Sequence, residues 1–128
     1  GPARSRYAGL ARRGGGYQGL EMRRGDLVTI AMQGTYGKPR PALVIQSDLF
    51  AEHPSVTILP VTSELRSTPL FRISVEPSET NRLRKTSEIM ADKVQSIPRE
   101  KIGDVFGQLA EEDMLAVSRA LAVFLGVV

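Results

Sequence analysis

From Asp26 onward the apolar residues fall in short runs, and this constrains the fold more than any other feature of the chain. Runs such as DLVTIAM and PALVIQ are rich in β-branched residues and are bounded by Gly, Pro and Ser. At this length such runs favour strands over helices. The pattern therefore predicts a mainly β fold.

The runs predict strands over residues 26–32, 41–46, 55–63, 71–76 and 87–97, and a further short strand in GDVFGQL. Pro60, inside the third run, suggests an edge strand or a bulge. One helix is predicted in EEDMLAVSRALAVFLG, because its apolar residues recur near helical spacing, its acids suit the helix dipole and Gly126 ends it. Five or six strands and one packing helix predict a small β-barrel.

The lack of cysteine limits what can hold this fold together. The 128 residues include no Cys, so a disulfide framework and a thiolate zinc site are excluded, as suits a reducing cytoplasm. The longest apolar run, LAVFLGVV, is far shorter than the about 18 residues of a membrane-spanning helix. We therefore expect one soluble, cytoplasmic domain with no membrane segment, no metal and no cofactor.

The positive charge of the chain is concentrated in its first 21 residues. The formal net charge is +3, and residues 22–128 hold thirteen basic and thirteen acidic side chains. The Gly-Pro start and the abundance of Gly and Arg predict that residues 1–21 are a leader or the remnant of an expression tag. Residues 22–128 are then the functional domain, and an RNA-binding arm is the alternative for the leader.

Arg40 lies between Pro39 and Pro41 in the stretch KPRPALVIQSD. Neither proline donates a backbone hydrogen bond, and Pro41 favours extended backbone at Arg40, which predicts a side chain presented from a stiff loop. Its planar guanidinium can form two parallel hydrogen bonds with a phosphate. The spacing alone leaves open an ordinary loop arginine that is solvated or paired with an acid.

Four blocks, taken together, resemble a known family. They are RGDLVTIAMQGTYGKPRPALVIQSD, ILPVTS, RKTSEIMADKVQSIPREKIG and AEEDMLAVSRALAVFLG, in this order. From Met22 to its C-terminus the chain resembles the MazF/PemK family of type II toxin-antitoxin endoribonucleases. The resemblance implies an SH3-like barrel of the CcdB/MazF/PemK plasmid-maintenance toxin type with a C-terminal helix. It also implies a homodimer, single-stranded RNA as substrate and a cognate antitoxin protein.

The resemblance further implies a reaction and the residues that perform it. The activity is a sequence-specific, metal-independent endoribonuclease that leaves a 2′,3′-cyclic phosphate and a 5′-OH, with Arg40 and Thr62 as catalytic residues. As the 2′-OH attacks the phosphate, negative charge grows on the phosphate oxygens, where a guanidinium and a hydroxyl stabilise it. The alternative for Thr62 is a turn-capping hydroxyl. RNA contacts are predicted for Tyr36, Lys38, Ser63, Arg84, Lys85 and Asp92.

The sequence departs from the family pattern in the loop before Arg40. Relatives often carry a Glu or His there, whereas QGTYGKPR has neither, so the resemblance names no general base. Two other functions stay open: a CcdB-like DNA gyrase poison, and a degenerate member that only binds RNA or an antitoxin. CcdB-like toxins end in Trp-Gly-Ile, but this chain has no Trp and ends LGVV. The alternative for Asp92 is a structural carboxylate that bonds loop amides. The alternative for Arg84 and Lys85 is a solvated loop.

Overall fold

The computed structural model of the chain describes residues 22–31, 38–66 and 71–128. These residues form seven strands followed by one helix. In chain order the elements are β1 (Asp26–Ala31), β2 (Pro39–Val44), β3 (Ser55–Thr62), β4 (Arg72–Val75), β5 (Ser87–Met90), β6 (Gln95–Pro98), β7 (Ile102–Gln108) and α1 (Glu111–Leu125). Short 3₁₀ turns span Asp48–Phe50, Ala91–Lys93 and Arg99–Lys101. No helix formed by these residues is long and apolar enough to cross a membrane.

All neighbouring strands are antiparallel, and the sheet has the order β4-β5-β3-β2-β1-β7, with β6 also paired to β3. β4 and β7 end this order, and within the described ranges they do not pair with each other. The loop between β4 and β5 lies against the end of β7, where the Gln108 N–H donates to the Thr80 carbonyl at 3.0 Å. The predicted mainly β fold with a C-terminal packing helix is therefore confirmed.

The prediction that Pro60 marks an edge strand is wrong, because β3 lies inside the sheet. On one side β3 pairs with β2, and Ala42 is the Cα partner of Pro60. On its other side β3 pairs with β6 over 55–58 and with β5 over 61–62. Pro60 lies in the gap between these two partners, where its missing N–H interrupts neither ladder.

The segment 87–97, for which the sequence predicts one strand, forms two, β5 and β6. The 3₁₀ turn Ala91–Lys93 separates them. β5 pairs with the C-terminal end of β3 and β6 with its N-terminal half, so the chain must change direction between them. This division accounts for the seventh strand.

The sheet buries apolar side chains on both faces, because successive residues of a strand point to opposite sides. In β2, Leu43 packs in a cluster that contains Val117 and Leu121 of α1. Ala42 and Val44 pack on the other face, in a second cluster formed by Met22, Val28, Ile30, Ala42, Val44, Val56, Ile58 and Ile102. α1 ends as predicted at Gly126, whose φ of 71° is left-handed. The predicted catalytic residues, Arg40 and Thr62, lie on the face opposite α1.

Candidate active site

Arg40 lies inside β2, not in a loop before it, so this part of the prediction is wrong. Its Cα partner is Ile30 of β1, because the β1–β2 ladder extends to Ala31 and Pro39. The prolines do not prevent this ladder, since the N–H of Arg40 can point toward β1 while the prolines face away from it. The Arg40 side chain is exposed and has no hydrogen bond or ion pair with any residue in the described ranges. No residue in the described ranges therefore occupies its guanidinium.

Thr62 is the last residue of β3 and lies, like Arg40, at an edge of the sheet that is formed by the ends of strands and not by an edge strand. The pairing of Ala42 with Pro60 places these two residues on one face, and Arg40 and Thr62 are each two residues further along. Because side chains alternate between faces, Arg40 and Thr62 lie on that same face. The Thr62 hydroxyl oxygen accepts the Glu64 backbone N–H at 3.0 Å. Thr62 thus caps the turn after β3, as the alternative interpretation proposed.

Three predicted RNA contacts lie in segments that enter or leave this edge. Lys38 directly precedes β2 and Ser63 directly follows β3, and both are exposed. β5 starts beside the end of β3, with Glu88 as the Cα partner of Thr62. Lys85 is exposed just before β5, where its carbonyl accepts the Ser87 hydroxyl at 2.9 Å. Cationic side chains therefore come from two different segments of this edge.

The remaining predicted contacts differ in their position. Arg84 is exposed beside Lys85 in the loop before β5. Asp92 lies in the turn after β5, four residues beyond the partner of Thr62, which is on the order of 10 Å at the rise of a strand. Its Oδ1 is buried without a hydrogen-bond partner among the described residues, and its Oδ2 is 3.8 Å from Lys93 Nζ. Tyr36 lies outside the described residues.

The sequence reasoning missed two charged side chains: Glu88, which is the Cα partner of Thr62, and Arg72, which reaches Glu88 from β4. Glu88 faces the same side of the sheet as Thr62, and its side chain is 9% exposed. Arg72 Nη1 donates to Glu88 Oε1 at 3.0 Å. In FRISVE, Arg72 occupies a polar position of an alternating pattern, whereas SEIM does not alternate and gives no such signal for Glu88. Only the register brings the two residues together.

The environment of Glu88 keeps it ionised at neutral pH. The Arg66 backbone N–H donates to its Oε1 at 2.9 Å and lowers the pKa of Glu88 below the ordinary 4.5. The hydrogen bond and the charge of Arg72 lower this pKa further, while burial opposes both. A carboxylate with a lowered pKa is a weak proton acceptor. The direction of this pKa shift disfavours Glu88 as a general base.

No group of three or more His, Cys, Asp or Glu side chains in the described ranges is arranged to hold a metal ion. Among the described residues, this edge carries an exposed guanidinium without a partner, a hydroxyl and several exposed cations. Donors of this kind suit an anion such as a phosphate.

Comparison with known sequences and structures places this chain in a family. The profile of the family described as "PemK-like, MazF-like toxin of type II toxin-antitoxin system" matches residues 23–125. A relative from Mycolicibacterium smegmatis, named "Probable endoribonuclease MazF", is 48% identical over 107 residues, which are 83% of this chain and 98% of the relative.

Solved structures share the fold. "Mycobacterium tuberculosis toxin MazF-mt6" has a TM-score of 0.68 and 22% identity, over 79% of this chain and 96% of that one. MazF (Form-I) from Deinococcus radiodurans has a TM-score of 0.69 and 22% identity, over 84% and 98%. An "Endoribonuclease in complex with its cognate antitoxin from Mycobacterial species" has a TM-score of 0.69 and 22% identity, over 84% and 97%. Together with the profile match, they confirm the predicted type of fold, and the chain belongs to the PemK-like, MazF-like toxins of type II toxin-antitoxin systems.

Proposed function

We propose that this protein is an endoribonuclease toxin that cuts single-stranded RNA at a short sequence and leaves a 2′,3′-cyclic phosphate and a 5′-OH. Membership of the toxin family and the relative named as a probable endoribonuclease support RNA cleavage. The observation that carries the proposal is Arg40, an exposed cation with no partner among the described residues, on the same face and edge as Thr62.

Arg40 acts on the charge that develops during cleavage. The 2′-OH gives its proton to water and forms a bond to the adjacent phosphorus, while the bond from phosphorus to the 5′ oxygen breaks and that oxygen takes up a proton from water. In between, negative charge accumulates on the non-bridging oxygens. The guanidinium of Arg40 presents planar N–H donors and a positive charge to these oxygens. Loss of one such donor typically lowers kcat by about 10²–10³.

Thr62 can hold the same phosphate while it caps its turn. Its hydroxyl oxygen accepts the Glu64 N–H, which leaves the hydroxyl proton free to donate elsewhere. A hydroxyl fixed in this way has lost rotational freedom before the substrate arrives. Turn capping and phosphate binding are therefore compatible roles of one side chain, with Lys38, Ser63, Arg84 and Lys85 contacting the RNA backbone on either side and Asp92 further along.

We further propose that the enzyme works as a homodimer in the cytoplasm, needs no metal ion and is neutralised by a cognate antitoxin. One structure of the same fold is a complex with its antitoxin, which supports a partner of this kind. The exposed cations near Arg40 suit an acidic, disordered segment that covers the site and becomes ordered on binding.

The test is cleavage of a long RNA by the purified protein in EDTA, with cut sites mapped by primer extension. We expect site-specific cuts that disappear in Arg40→Ala. The matched control is Arg119→Ala, which removes an exposed arginine from α1, on the opposite face of the sheet, and should cut normally. Cleavage that requires a metal ion, or that persists in Arg40→Ala, contradicts the mechanism.

Two outcomes of the same experiment identify the other functions. Inhibition of DNA supercoiling without RNA cleavage would identify a gyrase poison, which neither the relatives nor the C-terminal LGVV favours. RNA binding without cleavage would identify a degenerate member of the family, consistent with a loop that has neither Glu nor His.

A further inference from the structure

The turn that follows Thr62 is held in place by the ion pair of Arg72 and Glu88. Glu88 Oε1 accepts the Arg66 N–H at 2.9 Å, and Arg72 Nη1 donates to the Glu64 carbonyl at 3.3 Å. The two charged side chains also bind each other at 3.0 Å. Both ends of the short segment after β3 are thus attached to one ion pair.

This segment determines the orientation of the Thr62 hydroxyl. The N–H that the hydroxyl oxygen accepts belongs to Glu64, and the carbonyl of Glu64 is the group that Arg72 holds. A shift of Glu64 would break or lengthen its bond to Thr62 and allow the hydroxyl to rotate. A chain of contacts therefore runs from the ion pair, through the backbone of Glu64, to the predicted catalytic oxygen.

Stability alone is a weak reason for an ion pair at this position. Each of its side chains is 9% exposed, so both have lost most of their hydration. Replacing a buried pair by apolar residues of similar size is often neutral or stabilising. Such a pair fixes geometry through directional hydrogen bonds, which apolar contacts do not provide.

We propose that Arg72 and Glu88 are positioning residues, which orient the Thr62 hydroxyl toward the substrate phosphate by holding the turn at Glu64 and Arg66. The inference rests on the proposed function, since it assigns a role in the same reaction. Neither residue touches the substrate in this proposal, and both act through Thr62.

A double-mutant cycle tests this role in steady-state cleavage of RNA. Glu88→Ala removes the acceptor for the Arg66 N–H and leaves Arg72 without its partner. We expect kcat to fall by about tenfold or more with KM within about twofold, because misplacement of a catalytic group affects the chemical step. In a Thr62→Ala background the same change should alter kcat by less than about twofold, because residues that act as a unit are not additive.

Conservative and remote variants separate positioning from general stability. Glu88→Gln keeps an acceptor oxygen at Oε1, so it should retain most of the kcat that Glu88→Ala loses. Arg72→Met provides a second test if Glu88→Ala does not fold, with the same expected pattern. The control is Arg99→Met, which removes bonds to the carbonyls of Ala51 and His53 near the start of β3. It should lower the melting temperature and leave kcat unchanged.

The results distinguish failure of this proposal from failure of the proposed function. A wild-type protein that does not cut RNA overturns both. If the wild type cuts RNA and Thr62→Ala impairs it, the positioning role is refuted by an unchanged kcat in Glu88→Ala. It is also refuted if Glu88→Ala lowers kcat by the same factor with and without Thr62. As an independent readout, amide hydrogen exchange at Glu64 and Arg66 should accelerate in Glu88→Ala, and unchanged protection contradicts the proposed contacts.

Discussion

Gly107→Ala should destabilise the fold, because the loop between β4 and β5 packs directly on the backbone of β7. A Cβ at residue 107 would lie 2.3 Å from the carbonyl oxygen of Asn81 and 2.9 Å from that of Thr80. Both atoms belong to the backbone, and the Thr80 carbonyl also accepts the Gln108 N–H at 3.0 Å. A side-chain rotation cannot relieve this overlap, so the loop and the strand must separate.

The magnitude follows from how firmly the loop is held. Asn81 is 4% exposed, and its Oδ1 accepts the backbone N–H groups of Ser78 and Leu83, each at 2.9 Å. Overpacking of a tight contact costs about 1–3 kcal/mol. Loss of one hydrogen bond adds about 0.5–1.5 kcal/mol. We therefore expect a decrease in the free energy of unfolding of about 2–4 kcal/mol.

Urea unfolding followed by circular dichroism measures this loss, and Gly126→Ala is the matched control. Gly126 has a φ of 71°, and a Cβ added to it would have no neighbouring atom within 4 Å among the described residues, so its substitution meets only backbone strain. That strain costs about 1–2 kcal/mol. Equal losses in the two variants, with unchanged urea dependence, would refute the argument that the loop on β7 causes the effect.

Leu59→Ala should lower the free energy of unfolding by about 2–5 kcal/mol, because Leu59 is fully buried in the cluster beneath α1. Thermal unfolding measures this loss, and Leu49→Ala, at an exposed position, is the control. The lowered pKa of Glu88 gives a stabilisation that is present above its ordinary pKa of 4.5 and is lost as the pH falls through the folded value. The difference in melting temperature between wild type and Glu88→Gln should therefore shrink on acidification below pH 4.5. Burial raises the pKa of Asp113 above 3.8, and the charge of Glu112 raises it further. The stability that the protonated Asp113 contributes to the fold is therefore present at low pH and is lost as the pH rises through the folded pKa. Asp113→Asn should raise the melting temperature at neutral pH, and a gain that persists below pH 3.8 would contradict this assignment.

The sequence predicts the elements that depend on local signals. α1 is predicted from its helical spacing, its acidic start and Gly126, and each of these is a property of neighbouring residues. Residues 87–97 are predicted as one strand because the division into β5 and β6 depends on which half of β3 each one pairs with. Such partner choices are long-range and leave little trace in a local pattern.

Part of the candidate site was likewise predictable from the sequence, and part of it depends on long-range pairing. Arg40 and Thr62 were named from the family blocks, and the structure places them on one face and edge of the sheet. Arg72 and Glu88 were missed because they are 16 residues apart, and their contact exists only through the β4–β5 register. The alternation of FRISVE marks Arg72 as a polar position of a half-buried strand, but SEIM does not alternate, and neither pattern could show that the two side chains face each other.

The prolines around Arg40 act on the ladder with β3 rather than on the ladder with β1. Pro60 has no N–H, so its pairing with Ala42 cannot be of the type in which each residue donates to the other. In an antiparallel ladder, pairs that donate to each other alternate with pairs that do not. Leu43 and Leu59 therefore form a pair that donates both ways, and Pro41 stands at the next position where β2 would donate to β3. Pro41 has no N–H to donate toward β3, and the β2–β3 ladder ends at Ala42. Arg40 is thus paired with β1 on one side, while on the other side the ladder with β3 stops before the position where Arg40 and Thr62 would pair.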